Sequence, residues 1–375
     1  MTSIRRPPTA RVATIASAAW LLALAAGLCP QPAGAFDRFT GLEADAVFGE
    51  SVTFSVDLVG DPPDELDLLL RFADSDLTFV QPVEPHGGSA SFVWDAGADY
   101  IAPNTPIAYR WRARDGDPEP VVSSERTVLY DDDRPNLDWQ VLDTEQVSVH
   151  WYGDDRAPAE RMGDVTTAAV RQAEELFAAD LGARVDIFVY RTREEFFGAL
   201  EPGSREWIGG EARPEIRTIY AWLQAGSDAY MDVLIFHEVA HMVFADATEN
   251  PYHIPARWLN EGLAVWSEEQ GAQEEIDFVR RAARDDRLVG FDAIAEQFPT
   301  GPDEADVAYS QSAALMDYII RTYGREAIPR ISAAYRDGAS DAEAVEAATG
   351  VPLDDLTRDW FAEFGVDVPP PVEPE

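Results

Sequence analysis

The sequence predicts a multidomain fold in which an N-terminal all-β sandwich precedes an α+β domain that ends in a helical C-terminal lobe. Short segments of alternating apolar and polar residues, such as residues 51–58, recur between turn residues as far as Tyr130. Strands at that spacing are typical of a β-sandwich. After Arg134 strand-like and helix-like periods alternate, and from Asp228 to about Phe364 the pattern is mainly helical.

The β-rich first part contains segments that we predict to be strands of an immunoglobulin-like sandwich of roughly 100 residues. Turn sequences such as Asp61-Pro62-Pro63 and Asp115-Gly116-Asp117 separate them. Histidine and acidic residues are not concentrated at metal-ligand spacing here, so we expect no catalytic site in this part, and its partner is unknown. The predicted strands lie at residues 51–58, 66–72, 89–94, 106–112 and 127–130.

The second part follows the acidic run Asp131-Asp132-Asp133-Arg134, which we interpret as a solvated linker. A calcium site is the alternative, but three adjacent carboxylates cannot all face one ion without special backbone geometry. Beyond this run the periodicity predicts helices at residues 162–179 and 194–200 and strands at residues 147–152, 185–190 and 217–222.

The N-terminus has the residue order of a secretory signal peptide. Arg5, Arg6 and Arg11 precede an apolar run at residues 12–28, and the small residues that follow predict cleavage after Ala35. An uncleaved membrane anchor is the alternative, although the run is slightly short for a transmembrane helix. The predicted division is a signal peptide at 1–35, the sandwich at 36–134, the α+β domain at 135–366 and a disordered acidic, proline-rich tail at 367–375.

A cleaved signal makes the mature protein secreted, or extracytoplasmic, and free of cysteine. The single cysteine, Cys29, lies within the predicted signal. A metal bound to the mature chain must therefore be held by His, Asp or Glu.

The composition excludes polyanions as partners. The formal net charge is −40, and such a surface repels nucleic acids and anionic lipid head groups. We expect no nucleic-acid partner and, apart from a possible N-terminal anchor, no membrane partner.

The first motif that indicates chemistry is the H-E-x-x-H sequence at residues 237–241. Residues at i and i+4 of a helix project from one face, so the imidazoles of His237 and His241 can bind one zinc ion. Glu238 points slightly aside, where its carboxylate can act as a general base without becoming a ligand. A lone histidine in so apolar a segment would be read as a core residue, but burying three polar groups together is costly without a shared partner.

Glu261 is the candidate for the third ligand. Catalytic zinc takes three protein ligands and keeps a fourth position open. Glu261 follows His241 by twenty residues, which is enough to end one helix, turn and present a carboxylate from a second helix. The alternative for Glu261 is an ion pair with Arg257, one helical turn before it.

The H-E-x-x-H motif, followed by Trp258-Leu259-Asn260-Glu261-Gly262-Leu263-Ala264, resembles the gluzincins, and most closely the peptidase MA-like zinc metallopeptidases of bacteria. The likeness extends over the second half of the chain. It implies a gluzincin-type metallopeptidase domain that binds Zn²⁺ through His237, His241 and Glu261, with Glu238 as general base. It also implies that the strand at 217–222 lies at the edge of the cleft, where an extended peptide could add as a further strand.

The second donor to the oxyanion is less defined by the sequence. Tyr309 is our first candidate, because it opens a segment that the resemblance picks out; the alternative is a core aromatic residue. His253 is the second candidate; it lies between the two zinc-binding helices, and the alternative is an exposed loop residue. Tyr220 and Trp222 could line the cleft, but aromatic residues on a strand usually pack, and we favour that alternative. The Gly-Ala-Met-Glu-Asn motif that grips a free amino terminus in zinc aminopeptidases is absent, so we favour an endopeptidase.

These features predict a secreted zinc-dependent peptidase that acts on peptides or proteins. The alternative is a catalytically silent cell-surface binding protein that uses the β-sandwich and keeps a vestigial or structural zinc site. The presence of Glu238 favours the enzyme, because a structural site needs no base there. Three ligands also favour it, because structural zinc sites are usually closed by four.

Overall fold

The computed structural model describes residues 38–370, except for residues 74, 76, 117, 204–208, 224–227 and 251–252. The predicted signal peptide, with Cys29, lies outside the described residues, as does the end of the predicted tail, residues 371–375.

The first part of the chain forms two antiparallel sheets. One has the strand order β1-β2-β5, and the other has the order β4-β3-β6-β7, with β8 also paired to β6. The strands are β1 (Phe39–Val47), β2 (Ser51–Leu58), β3 (Glu65–Phe72), β4 (Phe79–Pro82), β5 (Ser89–Asp95), β6 (Thr105–Arg114), β7 (Val121–Val122) and β8 (Arg126–Tyr130).

Both sheets contribute to one apolar core. Phe54 of β2, Leu68 of β3 and Trp111 of β6 are fully buried in the same cluster. The inward-facing residues alternate along β2 and β6, as the period-two pattern predicts. The prediction of an N-terminal β-sheet region is confirmed, whereas its immunoglobulin-like topology and its predicted boundaries remain predictions.

The second part is richer in helices. Its segments are β9 (Gln140–Asp143), β10 (Val147–Trp151), α1 (Ala157–Phe177), β11 (Val185–Tyr190), α2 (Arg193–Phe197), β12 (Gly210–Arg213), β13 (Thr218–Trp222), α3 (Asp228–Thr248), α4 (Arg257–Glu269), α5 (Gln273–Arg284), α6 (Pro302–Tyr323), α7 (Ala327–Arg336), α8 (Asp341–Thr349) and α9 (Leu353–Glu363). Within the described ranges, no helix combines the length and apolar character that crossing a membrane requires.

The strands of this part form one sheet in the order β12-β13-β11-β10-β9. The expectation that residues 217–222 lie at the edge of the cleft is therefore wrong. β13 lies between β11 and β12, and Thr218, Ile219, Tyr220 and Ala221 are all buried, as in an internal strand. The edge strand is β12, which has only four residues and begins with a glycine.

The two faces of this sheet have different partners. Val149 of β10, Ile187 of β11 and Ile219 of β13 belong to the core that α1, α3 and the helical lobe share. On the opposite face, Phe188 and Tyr220 pack in a cluster that Phe48, Ala73 and Ala102 of the first part complete.

Hydrogen bonds fix this second contact between the two parts of the chain. The Tyr220 hydroxyl donates to the Pro103 carbonyl at 2.5 Å. The Asn104 amide donates to the Thr218 hydroxyl at 2.8 Å. The first part therefore helps α2 to cover one face of the sheet, while α1, α3 and the helical lobe cover the other.

The acidic run at the junction is not the solvated linker that the sequence suggested. Asp132 is 0% exposed. Arg134 Nε donates to Asp132 Oδ1 at 2.7 Å, and the Tyr190 hydroxyl donates to Asp132 Oδ2 at 3.0 Å. The carboxylate is buried because these donors, one of them 58 residues away along the chain, replace its hydration.

We expect Asp132→Ala to lower the free energy of unfolding by about 3–5 kcal/mol, because it leaves a partly buried guanidinium and a buried hydroxyl without their acceptor. Urea denaturation measures the change. Asp277→Ala is the matched control, since Asp277 pairs with Arg280 and both side chains are 53% exposed; it should cost about 0–1 kcal/mol. Equal effects of the two substitutions would show that the junction carboxylate is not structural.

Candidate active site

Two helices bring the predicted zinc-binding residues together. α3 carries His237, Glu238 and His241, and the two imidazole rings lie edge to face with centroids 4.8 Å apart. α4 presents Glu261, whose Oε2 lies 3.6 Å from His237 Nε2 and 3.5 Å from His241 Nε2. These three ligand atoms all lie within 4.8 Å of one another, so one cation could contact all three.

The outer nitrogen of each imidazole has its own acceptor. His237 Nδ1 lies 2.9 Å from Glu268 Oε1, and His241 Nδ1 lies 2.8 Å from Asn260 Oδ1. A carboxylate or amide oxygen can only accept, so each Nδ1 carries the proton and each Nε2 is directed to the shared centre. Such outer partners fix ring orientation in metal sites.

All of these outer partners come from one helix. Asn260 and Glu268 lie on α4 together with Glu261. Glu268 follows Glu261 by seven residues and therefore lies along the same helical face, whereas Asn260 directly precedes Glu261 and projects to one side of it. Arg257, one turn before Glu261, places Nη2 3.0 Å from Glu261 Oε1. Both alternatives for Glu261 are thus present at once: one oxygen faces the histidines and the other faces Arg257. The roles of Asn260 and Glu268 were not predicted; the spacing of seven residues between Glu261 and Glu268 is a signal for Glu268 alone.

The electrostatics reflect this close grouping of charges. Burial by itself would raise the pKa of Glu261, but its hydrogen bonds with His237 and His241 hold that pKa well below its usual value. Burial likewise disfavours a charged His237, yet its bonds with Glu261 and Glu268 raise the pKa of His237 well above the usual value. These directions describe the site without a metal, in which imidazole and carboxylate stabilise each other.

Glu238 lies next to the three candidate ligands, which we call the triad, and it contacts the edge strand β12. It is 5% exposed, and burial raises the pKa of Glu238 against the opposing effect of His237 and His241. A Cβ placed on Gly210 of β12 would come within 2.8 Å of Glu238 Oε1. The edge strand therefore lies close to this carboxylate, and a larger residue at position 210 would displace the Glu238 side chain.

The triad lies in a cleft of about 1210 Å³. β12, α3, α4, the rim residues Ile254 and Pro255, and residues 295–297 line its walls. Ile254 is 86% exposed. The cleft is large enough for several residues of an extended peptide.

A comparison with protein families decides the family. The model of the peptidase MA superfamily matches residues 165–364, which are 200 of the 375 residues and include both helices of the site. The chain belongs to the peptidase MA superfamily. This match confirms the family resemblance that the H-E-x-x-H motif and the segment around Glu261 predicted. It supports a metallopeptidase in general and no particular type. A comparison with curated proteins gives no match.

Two solved structures resemble this superfamily member weakly. The aminopeptidase N family protein from Idiomarina loihiensis is 10% identical over 86% of this chain and 75% of its own, with a TM-score of 0.47. A variant of a two-domain M1 zinc metallopeptidase, bound to L-arginine, is 11% identical over 86% of this chain and 90% of its own, with a TM-score of 0.38. Such low similarity transfers neither substrate nor mechanism.

Of the other residues considered for the site of this superfamily member, one lines the cleft and three lie elsewhere. Tyr309 lines the cleft and packs edge to face against Phe298, with ring centroids 4.9 Å apart. His253 instead faces Asp341 at 3.3 Å and stacks on Tyr335. Tyr220 and Trp222 pack in the cluster that includes residues of the first part of the chain, as the favoured alternative predicts, and their strand is internal to the sheet.

A second glycine, Gly262, allows α6 to pack closely against α4 beside Glu261. A Cβ on Gly262 would come within 2.6 Å of the Ser312 carbonyl oxygen and 2.7 Å of its carbon. The backbone of α6 therefore packs directly against α4 immediately behind the candidate ligand. A backbone cannot move aside as a flexible side chain can.

We expect Gly262→Ala to lower the free energy of unfolding by about 1–3 kcal/mol, because the clash with α6 outweighs the roughly 1 kcal/mol that alanine gains over glycine in a helix. Gly163→Ala on α1 is the matched control. Its Cβ would meet the nearest atom at 3.5 Å, an ordinary contact, so the propensity gain should make it neutral or stabilising. Denaturant unfolding of both variants tests this, and a stabilised Gly262→Ala would contradict the tight contact.

Proposed function

We propose that this chain is a secreted zinc-dependent peptidase that hydrolyses peptide bonds with Glu238 as general base. The observation that carries the proposal is the convergence of three ligand atoms beside a buried carboxylate in one cleft. His237 Nε2, His241 Nε2 and Glu261 Oε2 form the donor set. Glu238 lies within the same wall of the cleft.

The donor set fits zinc. Two imidazole nitrogens and one carboxylate oxygen are a ligand set that catalytic zinc uses, with a position left open for substrate. The engaged Nδ1 atoms support this assignment, because they leave Nε2 available on both rings. Bound zinc supplies Lewis-acid activation of water and of the scissile carbonyl group.

Glu238 is assigned the proton transfers. A general base works best when its pKa lies near the working pH, and burial shifts the pKa of Glu238 upward in that direction. A carboxylate oxygen of Glu238 accepts the proton of the attacking water and then donates it to the leaving amine. The contact of Glu238 with the Gly210 backbone limits the space in which the carboxylate can move.

The substrate is proposed to be a peptide or protein that binds as an extended strand along β12. Among the described residues, β12 pairs only with β13, and its other edge could accept the backbone hydrogen bonds of an extended peptide. Tyr309 is the proposed second donor to the oxyanion, since it lines the same cleft. We favour an endopeptidase because the sequence lacks the amino-terminus-binding motif of zinc aminopeptidases.

Secretion is proposed from the N-terminal sequence. The order of charged, apolar and small residues in positions 1–35 is that of a signal peptide. Peptidase assays therefore use the chain from residue 36 onward, together with the full chain.

We expect Glu238→Gln to lower casein or peptide hydrolysis by about 10²–10⁴-fold while zinc content stays at the level of the unaltered protein. The amide keeps the size of the side chain but cannot accept the proton. Glu249→Gln, an exposed position just after α3, is the matched control and should keep full activity. Metal analysis accompanies each assay. The proposal fails if Glu238→Gln cleaves as fast as the unaltered protein, or if the zinc-loaded protein cleaves no peptide.

A separate prediction concerns the third ligand. We expect Glu261→Ala to weaken zinc binding by more than the roughly 10–100-fold that loss of an outer partner costs. Glu296→Ala removes another carboxylate that lines the cleft and should leave zinc affinity unchanged. Chelator competition measures both affinities, and unchanged affinity in Glu261→Ala would remove Glu261 from the ligand set.

A further inference from the structure

We infer that Arg257 is the positioning residue of the ligand Glu261, holding one carboxylate oxygen so that the other alone faces the two histidines. This inference rests on the proposed function only for the role of Glu261 as a metal ligand. It assigns to Arg257 no contact with the metal or with the reacting atoms.

The carboxylate of Glu261 divides its oxygens between two partners. Oε2 lies 3.5 Å from His241 Nε2 and 3.6 Å from His237 Nε2. Oε1 lies 3.0 Å from Arg257 Nη2, an i,i+4 pair along α4. The oxygen that faces the guanidinium is thus a different one from the oxygen that contacts both histidines, and Glu261 presents Oε2 to the shared centre.

Arg257 is itself held in place. Its backbone amide donates to the Ala295 carbonyl at 2.6 Å. Its guanidinium lies over the Phe298 ring, 5.5 Å from the centroid. Its Nε is buried and meets no acceptor among the described residues. The backbone bond holds the start of α4, and the ring contact restricts the guanidinium, although the Arg257 side chain is 38% exposed.

The environment makes this pair stronger than its helical spacing alone suggests. An i,i+4 ion pair on an exposed helix contributes little, because water competes for both partners. Glu261 is 7% exposed, so few waters can replace the guanidinium as the partner of Oε1. Without Arg257 the carboxylate would be free to rotate or to present both oxygens.

Arg257 also completes a pattern. Glu268 orients His237, Asn260 orients His241, and both partners lie on α4. Arg257 gives the third ligand its outer partner from the same helix. Arg257 has two opposing effects on a metal cation. Its positive charge repels the cation from the far side of the carboxylate, whereas its contact with Oε1 orients the Glu261 carboxylate that would bind the cation. We therefore expect orientation to dominate, as outer partners of ligands usually raise affinity.

The test is zinc affinity of the metal-free protein, measured by competition with a chromophoric chelator. We expect R257M to bind zinc about 10–100-fold more weakly than the unaltered protein, because the methionine stem keeps the packing on Phe298 but holds no oxygen. R257K should recover part of the loss, since an ammonium keeps the charge but makes only a point contact.

A matched control is available on α6. Arg321 pairs with Asp317 four residues earlier at 2.7 Å and lies over the Tyr318 ring at 5.9 Å. R321M removes the same kinds of contact away from the triad and should leave zinc affinity unchanged. Thermal unfolding of each metal-free variant reports any general loss of stability separately from zinc affinity.

The outcomes separate this inference from the proposed function. If R257M binds zinc as tightly as the unaltered protein, or more tightly, Arg257 does not position the ligand, while the zinc site stands. If R257K is as weak as R257M, the cation is not the cause and the inference is again overturned. An unaltered protein that binds no zinc would overturn both. Should R257M prove too unstable to purify, R257Q carries the same expectation.

Discussion

The chemistry of this site depends on how closely α4 is held between α3 and α6. The ligand atoms of α3 and α4 can share one cation only if the two helices approach within the length of an imidazole and a carboxylate side chain. Gly262, directly after Glu261, lets the backbone of α6 press against α4 from behind. Trp258, Leu259 and Leu263 fill the rest of the contact and are almost fully buried. The position of one carboxylate is therefore set by the packing of three helices.

The same helix that supplies a ligand also orients the other two. α4 carries an acceptor for each histidine Nδ1, so a shift of α4 would disturb all three donors together. The edge strand acts on the remaining group: Gly210 packs against Glu238. In the proposed mechanism the strand that pairs with the peptide thus also limits the movement of the base. The short strand β12 would then both align the substrate and position the base.

Much of this arrangement follows from the sequence, because it depends on local spacing. Helical geometry places the i,i+4 histidines on one face, and the acid twenty residues later is predicted from its spacing together with the family resemblance. The misjudged features depend on distant partners. From its acidic neighbours Asp132 is predicted to be solvent-exposed, but it is buried against Tyr190, which lies 58 residues further along the chain. The edge position of β12 could not be predicted either, because a segment of four residues that begins with glycine is too short to show the alternating pattern of a strand. The strand that carries Tyr220 is expected at the edge of the cleft, yet it lies inside the sheet, and the first part of the chain contacts it.

The contact between the first part of the chain and the sheet has a consequence for the autonomy of the second part. Phe188, Tyr190 and Tyr220 form a continuous aromatic face, and each is at most 2% exposed. Without the first part of the chain, this face would lose the cover of Phe48, Ala73 and Ala102, and the newly exposed apolar surface would favour aggregation. The β-rich part therefore shields an apolar surface of the second part, and a shortened chain that lacks it would be less soluble.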